Sequence, residues 1–151
     1  MSNKLYEIIK LREKTYLQQI LGDKYGCYKW WARKEELDSI CAKLGISFNQ
    51  IISDIETHND LYCIYVGQSH RVLRKRISIH LNSTINRSTL RKSIGALFGL
   101  NEIDNFLNKL FLEFVVLEDT DKNKLKRKID NYLEYRKHLD MLGETELKLC
   151  D

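Results

Sequence analysis

Leu61-Tyr62-Cys63-Ile64-Tyr65-Val66-Gly67 is a short aromatic and β-branched run, bounded by His58-Asn59-Asp60 on one side and closed by Gly67 on the other. A run of this kind reads as a buried strand. Beyond it, Leu73, Ile77 and Leu81 recur at the spacing of one helix face, with Arg76 and His80 at i and i+4 beside them. The strand therefore hands directly to a helix, and the helix must pack back on the sheet. That places a guanidinium and an imidazole where they can face tyrosines near the strand ends. A second strand-like segment, Cys27 to Ala32, follows Gly26 and carries Tyr28. Period-two alternation puts Tyr65 on one face with Cys63 and Leu61. Gly67 is expected to end its strand and let the backbone turn closely into the helix.

The remaining segments arrange themselves around these. Lys4 to Leu21 carries Leu5, Ile8, Ile9, Leu11, Tyr16, Leu17, Ile20 and Leu21, the pattern of an amphipathic helix closed by Gly22 and Gly26. Lys34 to Leu44 reads as a helix with Leu37, Ile40, Cys41 and Leu44 as its stripe and Gly45 as its stop. Ser88 or Thr89 can cap a further helix, with Leu90, Ile94, Leu97 and Phe98 inward and Arg91 and Lys92 outward. Glu102 to Leu110 reads as a short helix and Leu112 to Leu117 as a third strand. Asp119 or Thr120 caps a long last helix running through Tyr132 towards Leu139. Three strands among helices predict a small α/β (α+β) layer with helices covering the sheet. There is no proline, no repeat and no linker, so residues 1–151 read as one domain, with 1–22 as an N-terminal helical extension.

Charge is distributed unevenly. The net charge is +4, yet Leu61 to Asn101 contains no Asp or Glu while holding Arg71, Arg74, Lys75, Arg76, Arg87, Arg91 and Lys92. The rest of the chain has 18 basic and 21 acidic residues. Segregation of this kind predicts a polyanion-binding face. Hydrophobic content of 43% and charged content of 30% suit a folded soluble chain rather than a disordered one. No apolar run approaches the length of a membrane span, and Met1-Ser2-Asn3-Lys4 lacks the apolar core of a signal peptide, so the expected compartment is the cytoplasm. Cys27, Cys41, Cys63 and Cys150 include no close C-x-x-C pair, which argues against a zinc site or a disulfide framework. Cys27 and Cys63 are expected to be buried thiols.

The order of these residues resembles the GIY-YIG nuclease superfamily. Gly26-Cys27-Tyr28 is similar to its first motif, and Ile64-Tyr65-Val66-Gly67, continued by Gln68-Ser69, to its second. Leu73, Arg76 and His80 fall where that family places a core Leu, its Arg and a His or Tyr. Two further segments, Tyr28 to Ala32 and Ser88 to Leu97, resemble one bacterial subgroup. The resemblance spans roughly 26–140, and it implies a three-stranded antiparallel sheet flanked by helices and hydrolysis of DNA with one divalent cation, Mg²⁺ or Mn²⁺. By this resemblance Tyr28 and Tyr65 are the active-site tyrosines, one of them helping to deprotonate the attacking water. His80 assists as a base or hydrogen-bond partner, and Arg76 stabilises the pentacovalent phosphate. Arg71, Arg74, Lys75, Arg87, Arg91 and Lys92 are candidate contacts to backbone phosphates.

The chain departs from the pattern in three ways. Tyr28 and Tyr65 are 37 positions apart, with an inserted helix and a loop between them. A Lys common after the second motif is Gln68. The family's metal-binding Glu has no direct counterpart; Asp130, or Glu134 one turn later, is the candidate ligand. If neither reaches the site, the alternative is a non-catalytic DNA-binding module on the same scaffold. A third reading is an RNA-binding or purely structural domain in which the tyrosines and Arg76 only pack.

Overall fold

The computed structural model describes residues 4–69, 72–82 and 88–117. The expected last helix, Asp130, Glu134, Arg71, Arg87 and Cys150 lie outside those residues.

The described elements follow in chain order as β1 (Leu5–Glu7), α1 (Ile8–Leu11), α2 (Lys14–Leu21), β2 (Tyr25–Arg33), α3 (Lys34–Leu44), α4 (Phe48–Ile51), β3 (Thr57–His58), β4 (Leu61–Ser69), α5 (Leu73–Asn82), α6 (Thr89–Phe98), α7 (Ile103–Leu107) and β5 (Phe111–Leu117), with single 3₁₀ turns before β3 and α7. All strand pairs are antiparallel, and the sheet order is β1-β5-β2-β4-β3. The sheet has five strands where three were expected. The two additions are edge strands of three and two residues, too short to show a period of their own.

β1 is the larger correction. Leu5-Tyr6-Glu7 satisfies a helical stripe, but it pairs with β5 through Leu5–Glu113, Tyr6–Leu112 and Glu7–Phe111. Tyr6 then packs on Phe114, with 5.6 Å between ring centroids. The helix that follows is broken at Arg12 and Glu13, so the expected single helix over 4–21 becomes a strand and two short helices. At the opposite edge, Asn59 and Asp60 both take positive φ (48° and 64°) between β3 and β4. Two successive left-handed residues form the tight hairpin turn that suits strand twist, and Asn and Asp accept that conformation better than most residues.

β2 is the central strand, bonded to β4 along one side and β5 along the other. Residues Gly26 to Ala32 are all buried. The larger core lies on the face covered by α1, α2, α5, α6 and α7, where Tyr28, Trp30 and Tyr65 join Leu73, Ile77, Leu107 and Leu112. The other face holds a smaller cluster of Trp31, Cys63 and Val66. There Lys29, nearly buried, pairs with Glu56 at 2.9 Å, and the Trp31 indole N–H donates to Glu113 at 3.0 Å. α3 ends as expected. Gly45 takes φ 70° and its N–H bonds back to Ala42, a left-handed stop that costs a glycine little.

The pairing of β2 with β4 contains one irregularity that matters for the site. Trp30 faces Tyr65, but Trp31 faces Cys63, so β4 carries one extra residue, Ile64. A β-bulge of this kind reverses side-chain parity beyond it. Tyr65 therefore joins Tyr28 and Trp30 on the helix-covered face, while Cys63 joins Trp31 on the other. The expectation that Tyr65 shares a face with Cys63 and Leu61 fails for this reason. Period-two counting holds only in an unbroken strand. β4 also runs on to Ser69, so Gly67 does not end it.

Candidate active site

Tyr28 and Tyr65 come from neighbouring strands, and the bulge brings both rings to the side where α5 packs. Their centroids are 6.5 Å apart with 29° between planes. Leu73, Ile77 and Leu81 anchor α5 in the core, and the same turn carries His80 inward. The imidazole meets Tyr28 at 5.4 Å, Tyr65 at 6.0 Å and Trp30 at 6.0 Å, edge-on in each case. Tyr28 Oη lies 2.6 Å from His80 Nε2. On the far side of the ring, Nδ1 lies 2.7 Å from Ser88 Oγ. That oxygen also caps α6 by accepting the Arg91 backbone N–H at 3.1 Å.

Gly67 lies opposite Tyr28 in the ladder. A Cβ built on Gly67 would overlap Cζ, Cε2 and Oη of Tyr28. The glycine is therefore the seat of the Tyr28 ring rather than a turn residue. Arg76 is half-buried one turn before His80 on α5, and its positive charge acts on the imidazole.

His80 is 0% exposed, not a solvated residue at a helix edge. Burial pushes its pKa down to about 3, helped by the positive charges of Arg76 and Arg91. The ring is therefore neutral at physiological pH. Tyr28 is 1% exposed and Tyr65 8%. Two phenols and an imidazole thus converge as the sequence predicted, but with Tyr28 and His80 withdrawn from water.

The candidate phosphate contacts divide. Arg91 was expected on an outer face and is instead buried. Its guanidinium donates to the carbonyls of His80 and Leu81 at 3.2 and 3.1 Å and to Asp104 at 2.9 Å. Arg12 donates to the same Leu81 carbonyl at 2.9 Å and to Asp104 at 3.1 Å. The last carbonyls of a helix have no partner within it, and cations there oppose the helix dipole. Two arginines therefore tie down the end of α5 that carries His80, and their hydrogen bonds hold the Asp104 carboxyl below its ordinary range. Removing Arg91 takes this donor from the His80 carbonyl and from Asp104 and leaves Arg12 alone on the Leu81 carbonyl, so Arg91→Ala is expected to cost about 3 kcal/mol of stability in urea denaturation. It should leave the salt dependence of any DNA binding unchanged. Arg74 donates to the Gly22 carbonyl at 3.2 Å and approaches the exposed Asp23 at 3.5 Å. Lys75 is exposed and Lys92 half-buried.

Among the described residues no group of three or more His, Cys, Asp or Glu side chains is placed to hold a metal ion. Both ring nitrogens of His80 are already engaged. A cleft of roughly 310 Å³ between α3 and α7 is lined by Glu35, Glu36 and Glu102 together with Phe98 and Phe106. Its carboxylates suit a phosphodiester poorly, and neither Tyr28, Tyr65, Arg76 nor His80 lines it. Cys27, Cys41 and Cys63 are buried free thiols; burial raises the Cys27 thiol to about 11 and the Cys63 thiol further. No helix among the described residues is long and apolar enough to cross a membrane.

Three features of the site had no signal of their own in the sequence. Ser88 could be read as a helix cap but not as a partner of His80, because nothing local reports what lies behind an imidazole. The contact between Gly67 and Tyr28 and the seating of Arg91 both depend on pairings between distant segments.

Tyr28, Tyr65 and His80 meet where α5 packs on the sheet, with Arg76 one turn before His80 on the same helix. A family model described as the GIY-YIG catalytic domain matches residues 26–148. The chain belongs to the GIY-YIG family, a family of endonucleases. No curated protein and no solved structure matches the chain. β1 precedes the matched region yet is hydrogen-bonded into its sheet through β5.

Proposed function

We propose that this protein is a DNA endonuclease that hydrolyses phosphodiester bonds with the help of a divalent cation, Mg²⁺ or Mn²⁺. The observation that carries this reading is the 2.6 Å contact between Tyr28 Oη and His80 Nε2, two residues that lie within the span matched by the family model and that the sequence resemblance assigns to the site. Tyr28, as the phenolate that a donor on its oxygen favours, takes the proton of the attacking water and becomes the phenol. Tyr65, stacked on Tyr28, positions that water and the phosphate. The Arg76 guanidinium can donate two parallel hydrogen bonds to non-bridging oxygens and so oppose the charge that grows at phosphorus. Lys75, Arg74 and Lys92, with Arg71 and Arg87, are proposed contacts to the DNA backbone. Asp130 or Glu134 would hold the cation, which when bound neutralises charge on the scissile phosphate.

The burial of Tyr28 and His80 favours a second reading, in which the same scaffold binds DNA without cutting it. Plasmid nicking separates the two. Under the first reading, cutting needs Mg²⁺ or Mn²⁺, stops with a chelator, and falls by roughly 10²-fold or more in Tyr28→Phe and in Arg76→Ala. Wild-type rates in Tyr28→Phe would reduce Tyr28 to a packing residue. Steeply salt-dependent binding with no cutting under any divalent ion would establish the binding module.

A further inference from the structure

We propose that Ser88 is a positioning residue that fixes the tautomer of His80, keeping the ring proton on Nε2 so that the imidazole donates a hydrogen bond to Tyr28 Oη. The functional consequence rests on the reading above, but the placement of the proton does not.

The argument follows the hydrogens. Ser88 is 1% exposed, so its hydroxyl hydrogen needs a protein acceptor. Its oxygen already accepts the Arg91 backbone N–H at 3.1 Å, the contact that starts α6. Among the described residues the only acceptor within reach of its own hydrogen is His80 Nδ1, at 2.7 Å. If Nδ1 carried a proton instead, the Ser88 oxygen would receive two hydrogens and its own would have no acceptor among the described residues. A buried donor left without a partner is the costlier state. With Nδ1 bare, a neutral imidazole must carry its proton on Nε2, which points at Tyr28 Oη from 2.6 Å. The low basicity of the ring agrees with one proton rather than two.

This assignment decides what His80 can do. An Nε2 that already holds a proton cannot take one from Tyr28, so His80 is not the base that removes the phenolic hydrogen. It is a donor, and a donor to Oη stabilises the phenolate over the phenol. Ser88 thus acts on Tyr28 through the ring, without touching the substrate. A single hydroxyl serves both as the start of α6 and as the device that orients the ring.

Long-range ¹H–¹⁵N spectra of the full chain labelled at histidine nitrogens read the tautomer directly. At neutral pH His80 should show a protonated Nε2 and a bare Nδ1. Ser88→Thr, which keeps a hydroxyl, should preserve that pattern. Ser88→Ala should lose it, shifting His80 to a mixture or to the Nδ1–H form, and should slow nicking roughly tenfold or more at unchanged DNA affinity. A cap that is merely structural would lower the stability of Ser88→Ala without moving the ring proton. A wild-type His80 protonated on Nδ1, or an unchanged ring spectrum in Ser88→Ala, overturns the proposal. A wild-type protein that never cuts DNA would count against the nuclease reading alone, because the spectrum still reports the proton.

Discussion

Gly67→Ala is expected to be the most damaging single-atom addition in this protein. The new methyl would occupy the volume of the Tyr28 phenol, including its hydroxyl. Tyr28 is 1% exposed and wedged against His80 and Tyr65, so the ring has no empty space to move into. Overpacking a closed core costs about 1–3 kcal/mol, and a clash with a rigid ring belongs at or above the upper end. The functional loss should be larger than the stability loss. Displacing Tyr28 by about 1 Å would break its contact with His80, and misplacement on that scale costs roughly 10²-fold in rate. A double-mutant cycle tests the cause. Tyr28→Ala alone leaves a cavity, but once the ring is gone the Gly67→Ala methyl has room. The two changes should therefore be strongly non-additive in urea denaturation, with the second costing little in the background of the first. Equal cost of Gly67→Ala with and without the Tyr28 ring would show that the glycine serves some other need.

Acid should weaken the fold well before carboxylates titrate. In the unfolded chain His80 has the ordinary histidine pKa near 6.5, while burial holds it at about 3 in the folded protein. Between those values the unfolded state binds the extra proton, so stability falls as the pH drops below 6.5 and levels off near 3. The slope is about 1.4 kcal/mol per pH unit once well inside the window, and on the order of 5 kcal/mol across it. Asp104 works in a lower window. Its depressed pKa contributes stability above its unfolded value, lost as the pH falls through its folded value. Glu36 opposes His80, because burial raises its carboxyl and acidification relieves that burden. The readout is therefore a difference. Urea midpoints at pH 7, 5.5 and 4.5 should fall steeply in the wild type and much less in His80→Gln, which cannot take up a proton. Parallel curves would mean that the imidazole is as easily protonated inside the protein as outside. The same burial predicts that the nicking rate has no limb near pH 6.5.

Much of this arrangement could be read from the chain because it is carried by local signals. Lys34 to Leu44 declares its helix by an apolar stripe and a terminal glycine, and the structure keeps those bounds. The helix carrying Arg76 and His80 is set by Leu73, Ile77 and Leu81, so its inner face was legible without coordinates. What escaped is non-local. Leu5 to Glu7 becomes a strand only because β5 offers an open edge, a fact no three-residue window contains. The parity of Tyr65 depends on Ile64 having no counterpart on β2. Its rings converge for a different reason from the one alternation suggests. Arg91 belongs to a run rich in positive charge, yet it is drawn inward by helix-end carbonyls and by Asp104, thirteen positions along. Charge composition records how many cations a segment holds, not which of them reach solvent.

The described sheet tapers at both sides, to the three residues of β1 and the two of β3. Exposed strand edges invite neighbouring molecules to add on, and long flat ones seed fibres. β3 covers only Leu61 and Tyr62 of β4, and β1 only Phe111 to Glu113 of β5, so the rest of those two longer strands has no strand partner on its outer side among the described residues. Edge-to-edge association in concentrated solution should therefore begin on the outer sides of β4 and β5, not on the two short margins.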